Sequence, residues 1–120
     1  MFGIKRSLYS TSIISISTKL IGNIETDGEL QIDGVVEGNI NCGKVVIGLT
    51  GVVKGVINSQ KVIINGSVIG NIYSSSVILG VSSRVNGDIY HNYISIMTGA
   101  SIEGDLKKQK KLKVKYEDKD

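Results

Sequence analysis

Apolar and polar positions alternate through the middle of the chain in a pattern that recurs about every 16 residues. A Gly-x-Ile/Leu triplet occurs six times, at intervals of 15 to 17 residues, starting at Gly22, Gly38, Gly55, Gly70, Gly87 and Gly104. An aliphatic residue stands two positions before each glycine, namely Leu20, Val36, Val53, Val68, Val85 and Ile102. Upstream of each lies an apolar-x-apolar pair: Ile14/Ile16, Leu30/Ile32, Val45/Ile47, Val62/Ile64, Val77/Leu79 and Ile94/Ile96.

Alternation with a period of two is typical of β-strands, and matching positions in successive units let one unit stack on the next. The pattern predicts an all-β fold, a single β-helix (solenoid) of about six coils over residues 14–106. Six coils at ~4.8 Å each give a rod of roughly 29 Å. Corners of variable length join the strands, and polar, turn-like connectors such as 41–44 and 90–93 join the coils. A β-sandwich or barrel would not require this matching of positions.

The composition agrees with a β-fold. Ile and Val make up 32 of the 120 residues, there are 15 glycines and no proline, and alanine occurs once. A helical bundle is therefore excluded. The single cysteine, Cys42, excludes an internal disulfide or a cysteine-based zinc cluster and suits a reducing compartment.

Charge is unevenly distributed. Residues 14–106 carry five basic and eight acidic side chains, whereas residues 1–13 and 107–120 contribute +2 and +4. The residues after Lys5 and Arg6 are too polar for a secretory signal, and no window of the sequence approaches the run of about 20 apolar residues that a membrane-spanning helix needs. We expect a cytoplasmic protein with two basic, disordered tails, 1–13 and 107–120.

The repeat resembles the bactofilins, a family of bacterial cytoskeletal proteins. The resemblance covers residues 18–104 and rests on segments such as Leu30-Gln31-Ile32-Asp33-Gly34-Val35-Val36-Glu37-Gly38-Asn39-Ile40 and Val85-Asn86-Gly87-Asp88-Ile89-Tyr90. It implies a right-handed, three-sided β-helix that polymerises without nucleotide into apolar filaments, which have no direction. It also implies attachment to the inner face of the cytoplasmic membrane and the positioning of cell-wall enzymes or other morphogenesis proteins.

The ends of the solenoid point to self-assembly independently of that resemblance. Repeat proteins normally cap their terminal units, yet units one and six are as apolar as the others. We therefore expect a homopolymer whose longitudinal interface comprises Ile14, Ile16, Leu20, Ile24, Ile94, Ile96, Ile102 and Leu106. The alternative is that residues 7–13 or 107–114 fold over the ends and leave a monomer.

A second predicted contact is lateral. The outward position within each apolar pair is occupied by Ser15, Gln31, Val46, Ile63, Ile78 and Ser95. Its apolar members Val46, Ile63 and Ile78 form a candidate stripe for a partner or a second filament. Surface β-propensity explains the same residues without a partner.

The two tails suggest different partners. Met1, Phe2 and Ile4 beside Lys5 and Arg6 resemble the membrane-targeting peptide of many bactofilins, and avidity along a filament would strengthen weak single-copy binding. The Lys-rich run after residue 106 suits an anionic membrane, nucleic acid or an acidic protein, or simply keeps filaments soluble.

Nothing in the sequence predicts catalysis, a metal site or a cofactor. His91 and Cys42 lie in connectors without a partner that would make them reactive, and we expect His91 to be a surface residue. A hexapeptide-repeat acyltransferase would need coils of 18 residues, which this chain lacks. A non-catalytic scaffold that anchors chromosomal or polar complexes through its Lys-rich tail stays an alternative.

Overall fold

The computed structural model describes residues 11–109, and within that range the chain forms fifteen strands and no helix. In chain order the strands are β1 (Thr11–Ile14), β2 (Lys19–Ile21), β3 (Ile24–Glu25), β4 (Glu29–Ile32), β5 (Val35–Glu37), β6 (Ile40–Ile47), β7 (Val52–Lys54), β8 (Ile57–Ile64), β9 (Ser67–Ile69), β10 (Ile72–Leu79), β11 (Arg84–Asn86), β12 (Ile89–His91), β13 (Tyr93–Ile96), β14 (Ser101–Glu103) and β15 (Leu106–Lys108). Residues 1–10 and 110–120, which include most of both predicted tails, lie outside the described residues.

Each of the six coils contributes three strand segments, and every pairing between coils is parallel. Face one contains β1, β4, β13 and the second halves of β6, β8 and β10. Face two is a separate sheet in the order β14-β11-β9-β7-β5-β2. Face three contains β3, β12, β15 and the first halves of the same three long strands. The predicted all-β solenoid of about six coils is confirmed, whereas its right-handed winding stays a prediction.

In-register stacking produces columns of aliphatic side chains along the axis. On face one, for example, Ile32 pairs with Ile47, which pairs with Ile64, which pairs with Leu79. All four side chains are fully buried, as are the equivalent aliphatics of faces two and three in coils two to five. Burial of these side chains stabilises the fold by about 1.5–3 kcal/mol each.

The prediction of turn-like connectors between coils is wrong for the middle of the rod. Residues 41–44, 58–61 and 73–76 lie inside the continuous strands β6, β8 and β10. In β8 and β10, a serine hydroxyl lies against backbone carbonyls where the ladder is interrupted. The Ser59 hydroxyl bonds the carbonyl oxygens of Gly43 (3.1 Å) and Lys61 (2.9 Å), and the Ser74 hydroxyl bonds that of Ser76 (3.0 Å).

The first coil is offset from its predicted register. Strand β1 pairs Ser12 with Leu30 and Ile14 with Ile32, so the inward pair is Ser12/Ile14 and not Ile14/Ile16. Ile16 lies in a four-residue corner between β1 and β2, where the Thr18 N–H donates to the Ser15 carbonyl (2.9 Å).

The recurrent glycines allow the close approach of successive coils at the corner between faces two and three. Gly55 has a φ of 150°, and a Cβ placed on it would overlap the carbonyl oxygen of Gly38 one coil below. Gly70, Gly87 and Gly104 repeat this arrangement. Backbone stacks on backbone here, which only glycine permits.

The Asx residue that follows five of the six triplet glycines forms a second column. The Asn23 side-chain oxygen accepts from the Asn39 N–H (2.9 Å), and Asn39 does the same for Val56 (3.1 Å). The column resumes with Asn71 and Asp88 and ends at the Asp105 N–H. Val56 has no side-chain acceptor and interrupts the column in the middle of the rod.

Candidate polymerisation surfaces

The two end coils expose positions that are fully buried in every middle coil. On face one, Ile96 in coil six is 45% exposed, whereas its partner Leu79 in coil five is buried. On face three, Leu106 is 44% exposed above the buried Ile89. The remaining end-coil aliphatics are only half-buried against the core, namely Ile14, Leu20, Ile24, Ile94 and Ile102. Of the predicted interface residues, Ile16 alone lies in a corner, and it is 64% exposed.

The backbone is open at both ends as well. Strands β1 and β2 are the edge strands at the N-terminal end of the described solenoid, and β14 and β15 are edge strands at the other. A Cβ built on Gly22 meets nothing within 4 Å, whereas the later glycines of this column face the backbone below. The N-terminal end therefore has the recess that receives a coil elsewhere in the rod, and no coil formed by residues 11–109 occupies it.

The outward column of face one differs from the prediction at one position. Residue 13, and not Ser15, is the first member, because Ile13 pairs with Gln31. From there the predicted order holds, with Gln31, Val46, Ile63, Ile78 and Ser95 paired in succession. The candidate stripe of Val46, Ile63 and Ile78 is contiguous, and its side chains are half-buried against their neighbours.

Face three has an aromatic and basic cluster that our sequence reasoning missed. The rings of Tyr73 and Tyr90 stack in parallel with centroids 4.6 Å apart, and the Lys107 ammonium lies 5.2 Å from the centre of the Tyr90 ring. Lys107 also pairs with Asp88 at 3.7 Å. The contact with the Tyr90 hydroxyl is the main cause that raises the pKa of Lys107. The signal was available, because all three residues directly follow a Gly-x-Ile/Leu triplet and therefore share one column.

His91 is buried, which contradicts the expected surface position. It is 8% exposed, because coil six covers it, and its Nδ1 has no hydrogen-bond partner among the residues that the structure describes. Desolvation, and then the nearby Lys108, lower the pKa of His91 below its ordinary value. Cys42 occupies the equivalent inward position in coil two, and burial raises the pKa of its thiol despite a contact with Ser59. Both side chains lie on the inner side of the bend between faces three and one.

A groove of about 480 Å³ follows that bend along the outside of the rod. It runs past the connector positions of coils one to four, and Glu25 and Asp27 lie at its coil-one end. Gln109 lines it near the other end, where its Nε2 donates to the carbonyls of Ser74 (3.1 Å) and Tyr90 (3.2 Å). Within residues 11–109, no cluster of three or more His, Cys, Asp or Glu residues that could hold a metal ion is found.

Residues 11–109 form a parallel β-solenoid whose two end coils are apolar and have unpaired strand edges within that range. Comparison with known proteins makes this class of fold specific. Residues 12–107 match the bactofilin family, which is described as polymer-forming and cytoskeletal, and the chain belongs to this family. The solved structure titled "Atomic structure of the cytoskeletal bactofilin BacA revealed by solid-state NMR" is 38% identical to this chain. That match has a TM-score of 0.76 and covers 83% of this chain and 97% of that one.

A search of curated proteins returned no match. In the part of the chain that the structure describes, no helix is long and apolar enough to cross a membrane.

Proposed function

We propose that this protein polymerises without nucleotide by stacking its two end coils on those of other copies, and that its role is structural and not enzymatic. The observation that carries the proposal is the difference in burial between equivalent side chains: Ile96 and Leu106 are almost half exposed, whereas Leu79 and Ile89 directly below them are buried. A further coil from another copy would bury this apolar surface and pair the open strand edges. The empty recess at Gly22 supports the same role for the other end.

Both ends take part in this polymer. The resemblance noted above implies apolar filaments, in which each joint brings together two like ends. The end-coil residues already named as the longitudinal interface then divide into two self-complementary joints, one formed by coil one and one by coil six. Ile16 remains a predicted contact at the coil-one joint, where it lies beside the inward-facing Ile14.

The test is electron microscopy of the purified full chain, without nucleotide or metal, beside two variants that each place a charge on one end. Ile14→Lys charges coil one and Ile96→Lys charges coil six. We expect filaments from the natural chain and either short oligomers or dimers from each variant, because a like-with-like joint survives at the unmodified end. Ser15→Lys and Ser95→Lys add the same charge next to those positions without burying it, and they serve as matched controls. A monodisperse natural chain at high concentration would contradict the proposal.

We also propose that the filaments lie on the inner face of the cytoplasmic membrane and position cell-wall or morphogenesis proteins there. The support is in the sequence, where Met1, Phe2 and Ile4 stand beside Lys5 and Arg6. Each cation contributes about 1 kcal/mol near an anionic surface. Flotation with vesicles tests this: we expect a loss of binding when Phe2→Ser and Ile4→Ser are combined. Repeating the assay with Ile96→Lys separates intrinsic affinity from avidity along a filament.

The lateral stripe is a second candidate contact. Val46, Ile63 and Ile78 form one uninterrupted apolar column on face one, which supports a role in pairing filaments. Replacing Ile63 with Thr keeps the strand propensity and removes apolar surface. We expect single filaments to replace bundles in this variant, with filament length unchanged.

A further inference from the structure

A single short strand covers His91. Strand β15 pairs Lys108 with His91, and all three residues of β15 are exposed. The residues at the equivalent bend position in coils two and three, Cys42 and Ser59, are instead covered by the eight-residue strands β8 and β10. Edge strands at the end of a repeat array open more readily than interior ones. The burial of His91 therefore depends on an element of low local stability.

The surroundings of His91 suit only the neutral imidazole. Strand β10 places Ser74 one coil below it, β15 places Lys108 above it, and β13 contributes no charged side chain. Lys107 and Asp88 pair with each other on the outer side of face three. Among residues 11–109, no carboxylate forms an ion pair with His91, and its Nδ1 has no hydrogen-bond partner. Desolvation, and then Lys108, accordingly lower the pKa of His91.

Protonation of His91 opposes the closed position of β15. A buried imidazolium without an acceptor, next to a second cation, is unfavourable, and release of β15 returns it to water. The same release removes Leu106, which belongs to the apolar surface of coil six, from its place above Ile89. The coil-one end has no titratable group at this position, because Thr26 occupies it.

We propose that the coil-six joint requires neutral His91, so that mild acid opens this joint and leaves the coil-one joint intact. This regulation rests on the polymer proposed above and concerns one of its two joints. In mild acid, a filament of like-with-like joints then separates into dimers that are held together at coil one. Above the ordinary pKa of 6.5, His91 is neutral whether β15 is closed or released, and the filaments persist.

Full-length variants that retain one joint test this by analytical ultracentrifugation at pH 7.5 and pH 5.5. Ile14→Lys retains the coil-six joint, and Ile96→Lys retains the coil-one joint. We expect the Kd of the Ile14→Lys dimer to rise about tenfold at the lower pH, because one pH unit below the ordinary pKa shifts a protonation equilibrium about tenfold. The Kd of the Ile96→Lys dimer should stay the same, which makes this variant the matched control for general effects of acid.

A second substitution in the Ile14→Lys chain makes the test specific. Serine occupies the equivalent position in coils three and four, as Ser59 and Ser74, so His91→Ser should fold and dimerise equally at both pH values. An Ile14→Lys dimer with the same Kd at both pH values would overturn the proposal. So would a pH effect that persists after His91→Ser. A monomeric Ile14→Lys chain at pH 7.5 is a different result, because it would overturn the coil-six joint itself and this proposal with it.

Discussion

The middle coils and the end coils have the same sequence pattern and different environments. Ile64 in coil four and Ile96 in coil six occupy the same inward position on face one, yet Ile64 is fully buried and Ile96 is 45% exposed. The difference arises only from the number of neighbouring coils, two for the first and one for the second. An end coil is thus an interior coil that lacks one neighbour, which is why the same residue type serves folding in one place and assembly in another.

The largest difference between the two environments is expected when a charge is placed at Ile64 and, separately, at Ile96. Ile64→Lys should prevent folding, because an unpaired buried ammonium costs more than about 4 kcal/mol. Ile96→Lys should fold, because its ammonium reaches solvent. Far-UV circular dichroism during heating distinguishes the two. Cooperative unfolding of Ile64→Lys near the temperature of the natural chain would show that the core tolerates charge and contradict the comparison.

Two glycines of the same column, one in a middle coil and one in an end coil, allow a second comparison of the two environments. Gly55 and Gly22 have similar φ angles of 150° and 142°, so alanine brings similar backbone strain to both. A methyl group at Gly55 overlaps the Gly38 carbonyl, whereas at Gly22 it meets nothing. We expect Gly55→Ala to be less stable than Gly22→Ala by about 2 kcal/mol in urea denaturation. Equal losses would mean that strain alone accounts for both. Under the proposed coil-one joint, Gly22→Ala should nonetheless shorten filaments, because the methyl group would occupy space that the joint needs.

The interrupted Asx column allows a gain of stability in the middle coils. The Asn71 N–H has no side-chain acceptor among residues 11–109, because the residue one coil before it is Val56. Val56→Asn supplies that acceptor, and we expect it to raise the free energy of unfolding by about 0.5–1 kcal/mol. Asn39→Ala removes an existing acceptor and should destabilise by about 1 kcal/mol. Urea denaturation measures both. A loss of stability in Val56→Asn would show that burial of the valine methyl groups outweighs the added hydrogen bond.

The smallest effect concerns His91, which only one coil covers. Because its pKa is lowered in the folded chain, the folded state binds fewer protons than the unfolded state. Its contribution to stability is therefore complete above the ordinary pKa of 6.5 and decreases as the pH falls through the window below it. We expect a lower melting temperature at pH 5.5 than at pH 7.5. His91→Asn should reduce this dependence, and an identical dependence in that variant would assign it to carboxylates.

Most of the architecture could be predicted from the repeat, and the errors have physical causes. The glycine triplets anchored coils two to six, because a one-residue shift would have turned every aliphatic side chain outward. In coil one, Ser12/Ile14 and Ile14/Ile16 have the same parity along the strand. The apolar pattern favours Ile14/Ile16 because Ser12 is polar, yet the structure pairs Ser12 and Ile14 with the inward Leu30 and Ile32. The burial of His91 depends on the bend inside β6, β8 and β10, where two successive residues face outward and the alternation changes phase.

Because the coils stack one on another, their number sets the length of the subunit along the axis. Because coils two to five repeat the same contacts, the length of a subunit changes in whole steps of about 4.8 Å when a coil is gained or lost, while the two end surfaces stay the same. The axial repeat of the polymer is thus set separately from the chemistry of its joints. A change in the number of coils would therefore alter that axial repeat without altering the residues at the two ends.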